Sequence, residues 1–303
     1  MSINANTVSE TVRSDFDFEV NKFPLFGPDN LPTDQYGLFR SDTGYIEGVK
    51  SVSPRYVPHS TDDVCALVEA ASDAFDGEVE CKTHWQQGHY VSVAPTRGQR
   101  RAIYGTEDNI FPRIIIRAGY DGKSFTGTMG YYRDACMNLA MLRRVSGTSV
   151  SIRHTSGLRS EMNQLIDTFG ELSEGWEHLV EVAAELESRE VRMVEFLDSI
   201  YGRPSNEHLN LAATGQKVRA VTTHKNRTEA IWNRLNDERV RTGRPIMTED
   251  KVSAWEAFNA VQGYVQHDAQ SKKGFKGEFS RILRAAHDPS VRKAEELVLA
   301  LVS

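Results

Sequence analysis

The residues best suited to chemistry in this chain are cations. Residues 135–160 contain no Asp or Glu, yet hold Arg143, Arg144, Arg153 and Arg159, with His154 beside one of them. Within FPRIIIRA, Arg113 and Arg117 lie four apart, so on a strand both project from one face, together with Ile115. Lys123 and Arg133 extend the same basic block. A second acid-free run, 208–228 (HLNLAATGQKVRAVTTHKNRT), adds Lys217, Arg219, Lys225 and Arg227. Arginine and lysine set among Ser and Thr hydroxyls, with no carboxylate to compete, are what phosphate oxygens require. Tyr131 and Tyr132 interleave with the first block, and a tyrosine ring beside cations offers a base a stacking surface. The residues expected to contact nucleic acid are therefore Arg113, Arg117, Lys123, Arg133, Arg143, Arg144, Arg153, His154, Arg159, Lys217 and Arg219, with Tyr131 and Tyr132 stacking.

The net charge of −6 hides this pattern, because the sign alternates in blocks. Residues 1–96 hold 6 Lys/Arg against 15 Asp/Glu, residues 97–160 hold 11 against 4, residues 161–210 hold 3 against 12, and the remainder 16 against 11. Such asymmetry suits a surface that meets an anion and another that avoids it. Pairing between basic and acidic blocks inside the fold would produce the same composition.

Other chemistry finds little support. Gly122-Lys123-Ser124 ends like a phosphate-binding loop, but Arg117 stands where that motif needs its first glycine. No GxGxxG opens a helix, and there is no CxxC pair and no GxSxG. Cys81, His84 and His89 flank one turn, and His267-Asp268 closes a helix; turn-flanking polar residues and a dipole-facing histidine account for them without a metal. No catalytic residue, metal or cofactor is expected.

The elements that must position the cations follow from periodicity. Short strands are predicted near Tyr36–Arg40 and Tyr45–Ser51, then a helix capped by Thr61, with Val64, Leu67, Val68, Ala71 and Phe75 on its apolar face. Alternation at 79–94 around Gln86-Gln87-Gly88 predicts a hairpin. Phe111–Ala118 and Ser124–Gly130 read as strands, Tyr132–Val145 as a helix and Thr148–Arg153 as a strand. From 158 onward 3.6-residue patterns dominate, stopping at Gly202-Arg203-Pro204 and resuming at 205–213, 223–241, 249–269, 277–287 and 289–302. The class is α+β: an antiparallel sheet with packed helices in the N-terminal half and a mainly helical C-terminal half. The domains expected are a flexible lead-in (1–34), a sheet domain (35–156) and a helical domain (157–303). Polar first residues and the lack of a long apolar run predict a cytoplasmic protein with no membrane partner, and Cys65, Cys81 and Cys136 read as reduced thiols.

Three motifs carry a resemblance. YYRDACMNLAM (Arg133, Cys136, Asn138), SIRHTSGLR (Arg153, His154, Thr155) and VSAWEAFNAVQGYVQH (Trp255, Asn259, Ala260, Val261, Tyr264, His267), with the Asp121–Ser124 turn, resemble a phage/plasmid-like protein family, domain of unknown function 932, over roughly residues 35–300. The resemblance implies a home in phages, prophages or mobile plasmids, hence a bacterial host cytoplasm, and supplies no activity. The element order across 61–145 is also similar to ring-forming single-strand annealing proteins, a likeness of fold only. The expected function is a single-stranded DNA-binding protein that promotes annealing in replication or recombination, acting as a homo-oligomer, with a ring as the form suggested by that likeness. A host or phage replication protein is a further expected partner. The alternative is a protein-interaction module that blocks a host defence or redirects a host enzyme through acidic residues 161–195.

Overall fold

The computed structural model describes residues 5–75, 78–85, 87–95, 101–102, 109–120, 125–133, 139–140, 149–152, 157–170, 172–269, 285 and 288–302. They fall into two compact units, one drawn from Met1–Arg100, Phe111–Gly130 and Arg143–Trp176, the other from Arg101–Ile110, Tyr131–Leu142 and Glu177–Ser303. The units interleave along the chain instead of following one cut near residue 157. The class is α+β, with antiparallel sheets in the N-terminal half and helices dominating the rest.

The polar first residues, expected as a flexible lead-in, form helix α1 (Ala5–Asp15). Val8, Val12 and Phe16 recur every four residues and are all buried. This stripe is short and diluted by Ser, Thr and Glu, which is why it reads as polar. Next come β1 (Val20–Phe26), β2 (Pro32–Arg40) and β3 (Gly44–Tyr45), a three-stranded antiparallel sheet. Helix α2 (Thr61–Asp73) is capped by Ser60, one residue before the expected Thr61. Ser60 and Asp63 form a reciprocal capping box, which leaves the Thr61 hydroxyl to donate to the carbonyls of Phe16 (3.0 Å) and Phe18 (3.3 Å). The cap of α2 thereby also ties down the exit of α1.

The main sheet holds β4 (Val79–Trp85), β5 (Gly88–Pro95), β6 (Arg101–Ala102), β7 (Asn109–Gly119), β8 (Phe125–Arg133), β9 (Leu139–Ala140) and β10 (Ser149–Ile152). Among the described residues its order is β10-β8-β7-β5-β4, with β6 on β7 and β9 on β8. The predicted hairpin is present, with Trp85 opposite His89 and His84 opposite Tyr90. The β-branched run of β7 is buried from Ile110 to Gly119, so both faces of this strand are covered. One face joins Val91, Val93, Ile114, Ile116 and Ala118 to α1, α2 and the buried Leu158 and Met162 of α3 (Leu158–Gly170). The helix predicted over 132–145 is not seen where the chain is described: Arg133 ends β8, and Leu139 and Ala140 form β9. Two β-pairs, Tyr131 with Ala140 and Tyr132 with Leu139, override the weak helical spacing there.

The continuous helical pattern of 158–201 breaks into α3, α4 (Leu172–Ser188), a short strand β11 (Glu190–Arg192) and α5 (Met193–Tyr201). After α6 (Asn206–Ala213) and the long α7 (Arg219–Arg241), β12 (Lys251–Ser253) pairs with β11 and leads into α8 (Ala254–Gly263). Every residue of α8 is buried, and it continues into a π-helical turn, Tyr264–Asp268, before α9 (Pro289–Leu299). The predicted helix 277–287 lies outside the described residues except at Ala285.

Two buried histidines sit in the first unit. His59 Nε2 and His89 Nδ1 are 2.9 Å apart, and Tyr120 stacks on His59 while donating its hydroxyl to the His59 carbonyl at 2.7 Å. Phe16, Phe18 and Trp85 surround His89. Burial, with the charge of Arg40 as a smaller contribution, pulls His89 down to about 3. Unfolding restores an ordinary imidazole, so between these two values the unfolded chain binds more protons and stability falls as pH falls. The contribution is complete above about pH 6.5 and is lost towards pH 3, at up to about 1.4 kcal/mol per pH unit. Urea midpoints measured from about pH 7 to pH 4 should decline, and less steeply in His89→Asn; equal slopes in the two proteins would refute this. Phe16→Ala should cost about 3 kcal/mol in the same assay, because it empties a site at the junction of α1, α2 and the sheet.

Candidate nucleic-acid interface

The arginines expected on a sheet surface are inside. Arg113 is buried and its Nη2 donates to Glu80 Oε1 at 2.5 Å. Arg117 is buried and its Nε donates to the Tyr90 hydroxyl at 2.9 Å. Arg113 and Arg117 do share a face of β7, as their spacing requires, but that face is covered. Arg133, with only 4% of its side chain exposed, pairs with an equally buried Glu238 at 2.7 Å. Tyr131 is fully buried, so its ring is packed in the fold instead of being presented to a base. Burial of a guanidinium demands an internal partner, and each of these three arginines meets that demand. Lys123, Arg143, Arg144, Arg153 and His154 lie outside the described residues, as do the side chains of Tyr132 on β8 and Arg159 on α3. Lys217 and Arg219 are exposed.

Arg133 belongs to an ionic cluster built on α7, β12 and α8 of the second unit. Glu256, the N3 residue of α8, accepts from Arg239 at 2.5 Å and Arg244 at 2.7 Å, and Arg244 also reaches Glu187 at 2.5 Å. The Glu187 carboxylate takes a further bond from the Ser253 hydroxyl at 2.8 Å, and Ser253 caps α8. The space left among these side chains is about 10 Å³, too little for a ligand. This cluster holds helices together.

An open basic site lies elsewhere in the same unit. A cleft of about 620 Å³ is lined by Tyr201, Arg203, Ser205, His208, Arg219, His224 and Arg227, among others, and no carboxylate is among its lining residues. Local sequence builds it. Gly202, at φ 77° and ψ 144°, takes a positive-φ conformation that suits glycine; it ends α5 and turns the chain towards Arg203-Pro204. Ser205 then caps α6, accepting from the His208 N–H at 3.2 Å. Gly215, at φ 85°, closes the link to α7. Helix α7 starts at Arg219 with no side-chain cap and no acid in its first turn, so its positive end is not neutralised locally. Arg219, Ala220, Thr223, His224 and Arg227 place one face of α7 along the cleft.

Two interactions organise its side chains. The Arg227 guanidinium lies 4.4 Å from the centre of the Tyr201 ring, and burial pushes the Tyr201 hydroxyl up to about 12. His224 Nε2 lies 2.9 Å from Asp198 Oδ1, a carboxylate that stands outside the lining. Arg219 and Arg227 were legible in the acid-free run 208–228. Tyr201, Arg203, His208 and His224 carry a weaker signal: Tyr201 and Arg203 only flank a helix stop, and the two histidines have no motif around them.

The other sequence candidates separate. His84 is exposed while His89 is buried on the opposite face of the hairpin, so the two do not converge with Cys81. Asp268 is held by Arg234 through two bonds of 2.8 and 2.6 Å. Among the described residues no three His, Cys, Asp or Glu side chains come together as metal ligands, and no helix is long and apolar enough to cross a membrane.

A family model covers residues 49–298, most of the chain and all of the cleft. The chain belongs to the family described as domain of unknown function DUF932. No curated protein and no solved structure matches it. The DUF932 match includes both the ionic cluster and the cleft, whereas α1 and the three-stranded sheet up to Tyr45 precede it.

The cluster gives a direct expectation. Glu238→Gln removes the negative charge that meets the buried Arg133 guanidinium and should cost about 3–5 kcal/mol of stability in urea unfolding. A loss below about 1 kcal/mol would show the pair to be solvated in solution, with Arg133 open to ligand.

Proposed function

We propose that this DUF932 protein binds single-stranded DNA, and that its phosphate contacts are made by the cleft at the head of α7, with Lys217 beside it, and not by the arginines of β7 and β8. One observation carries this reading: three arginines and two histidines line a cleft of about 620 Å³ that contains no carboxylate. The three arginines have no carboxylate among the residues that line the cleft, and the acid next to it, Asp198, is bonded to His224. A cleft of this size suits a nucleotide or two, as small-molecule sites do. A duplex would have to lie across its mouth, so strands with free bases fit better. The planar Arg227 guanidinium, backed by the Tyr201 ring and lining the cleft, gives a base a surface to stack on. In a phage, prophage or mobile plasmid such a protein would serve replication or recombination in the host cytoplasm, and strand annealing would follow from self-association.

A second reading draws on α4, where Glu177 and Glu181 are strongly exposed and Glu185 continues the same helical stripe. That stripe would serve a protein partner in a host defence or host enzyme.

Fluorescence anisotropy of labelled single-stranded and duplex 20-mers, titrated across salt, separates the readings. The expected result is tighter binding of the single strand, with an affinity that falls steeply with salt. Arg203→Ala with Arg219→Ala should weaken binding about tenfold or more and lower the salt slope by about 0.7 for each phosphate no longer neutralised. Affinity unchanged by this double substitution would remove the cleft from the interface. No binding at low salt would leave the acidic stripe and a protein partner.

A further inference from the structure

We propose that the same cleft cleaves RNA by acid–base chemistry, with His224 and His208 as the proton-transferring pair. This rests on the reading of the cleft as a single-strand phosphate site and adds a reaction to it.

The argument begins with Asp198. It is the carboxylate bonded to His224, and it is not among the residues that line the cleft. Both side chains are 24% exposed, so the pair is partly withdrawn from water while the imidazole still borders the cavity. A carboxylate on one ring nitrogen fixes the ring and its tautomer and leaves the second nitrogen for a proton transfer. His208, near the head of α6, lines the same cleft and brings a second imidazole to it. Arg203, Arg219 and Arg227 supply the positive charge that a pentacoordinate phosphorus needs on its outer oxygens. Two histidines and three arginines lining one cleft are the kinds of group that phosphoryl transfer to an internal nucleophile needs. RNA carries that nucleophile as its 2′-hydroxyl, and DNA does not.

The step balances without a further reactant. His224 takes the proton of the 2′-hydroxyl as the 2′-oxygen bonds to the adjacent phosphorus. The bond from phosphorus to the 5′-oxygen breaks, and that oxygen leaves with a proton from protonated His208. The products are a 2′,3′-cyclic phosphate and a 5′-hydroxyl end, with no change in oxidation state. Asp198 is a positioning residue for His224.

The test uses the full chain with an end-labelled RNA and the DNA of the same sequence, in the presence of a chelator. Cleavage of the RNA to cyclic-phosphate ends is expected, with the DNA left intact and acting as a competitor. His224→Ala and His208→Ala should each lower kcat by about 100-fold or more, a larger factor than their effect on Kd. Asp198→Asn should lower kcat with KM unmoved, which a merely structural role would not produce. RNA that binds and stays intact would overturn the proposal and leave the single-strand reading standing. So would cleavage that persists in His224→Ala. Failure of both RNA and DNA to bind would remove the two readings together.

Discussion

A guanidinium taken out of water must meet a carboxylate or another hydrogen-bond acceptor inside the fold. Ionic desolvation costs several kcal/mol per group, so a buried arginine is tolerated only where a carboxylate or a strong acceptor meets it. In this protein that constraint sorts the cations. Arg113, Arg117 and Arg133 are inside and are matched by Glu80, Tyr90 and Glu238. The arginines around the head of α7 line open space, and Asp198, a carboxylate outside that lining, is bonded to a histidine. The cations expected alike to contact nucleic acid are therefore two populations with different work.

The same constraint shapes the helical unit. Glu256 serves at once as the capping-box partner at the start of α8 and as the shared acceptor of Arg239 and Arg244. Its negative charge lies at the positive end of α8, so the dipole and the two guanidinium groups stabilise it together. A helix buried on all sides, as α8 is, has no solvated face to fix its rotation, and directional ion pairs at its start provide that register. At the head of α7 the arrangement is reversed: no acid and no cap meet the helix terminus, and the cleft opens there. One terminus closed by carboxylates and another left positive is a consistent use of the same electrostatics.

Part of the fold was plain in the residues. The β-branched run of β7, the alternating hairpin around Gln87 and the apolar spacing of α2 identify their elements directly, because each pattern has a single period. Helix α1 was missed because three apolar residues in a polar segment give too little signal, and its stability comes from α2 and the sheet. The stretch around Arg133 and Leu139 was misread because its helical spacing is weak and cross-strand pairing outweighed it. The acid-free run 208–228 pointed to Arg219 and Arg227 of the candidate cleft. Tyr201, Arg203 and Asp198 were not legible, because they belong to an acidic segment and come to their positions only through the turn at Gly202.

Composition, period and local motif are enough to place the class, the family and the supply of cations without neighbouring acids. They do not say which cations remain open to a ligand. A carboxylate far away in sequence, such as Glu238 for Arg133, can neutralise a charge as completely as an adjacent one. Those long-range pairs are set by the packed fold, because burial and counter-charge are properties of where side chains meet, not of their order along the chain.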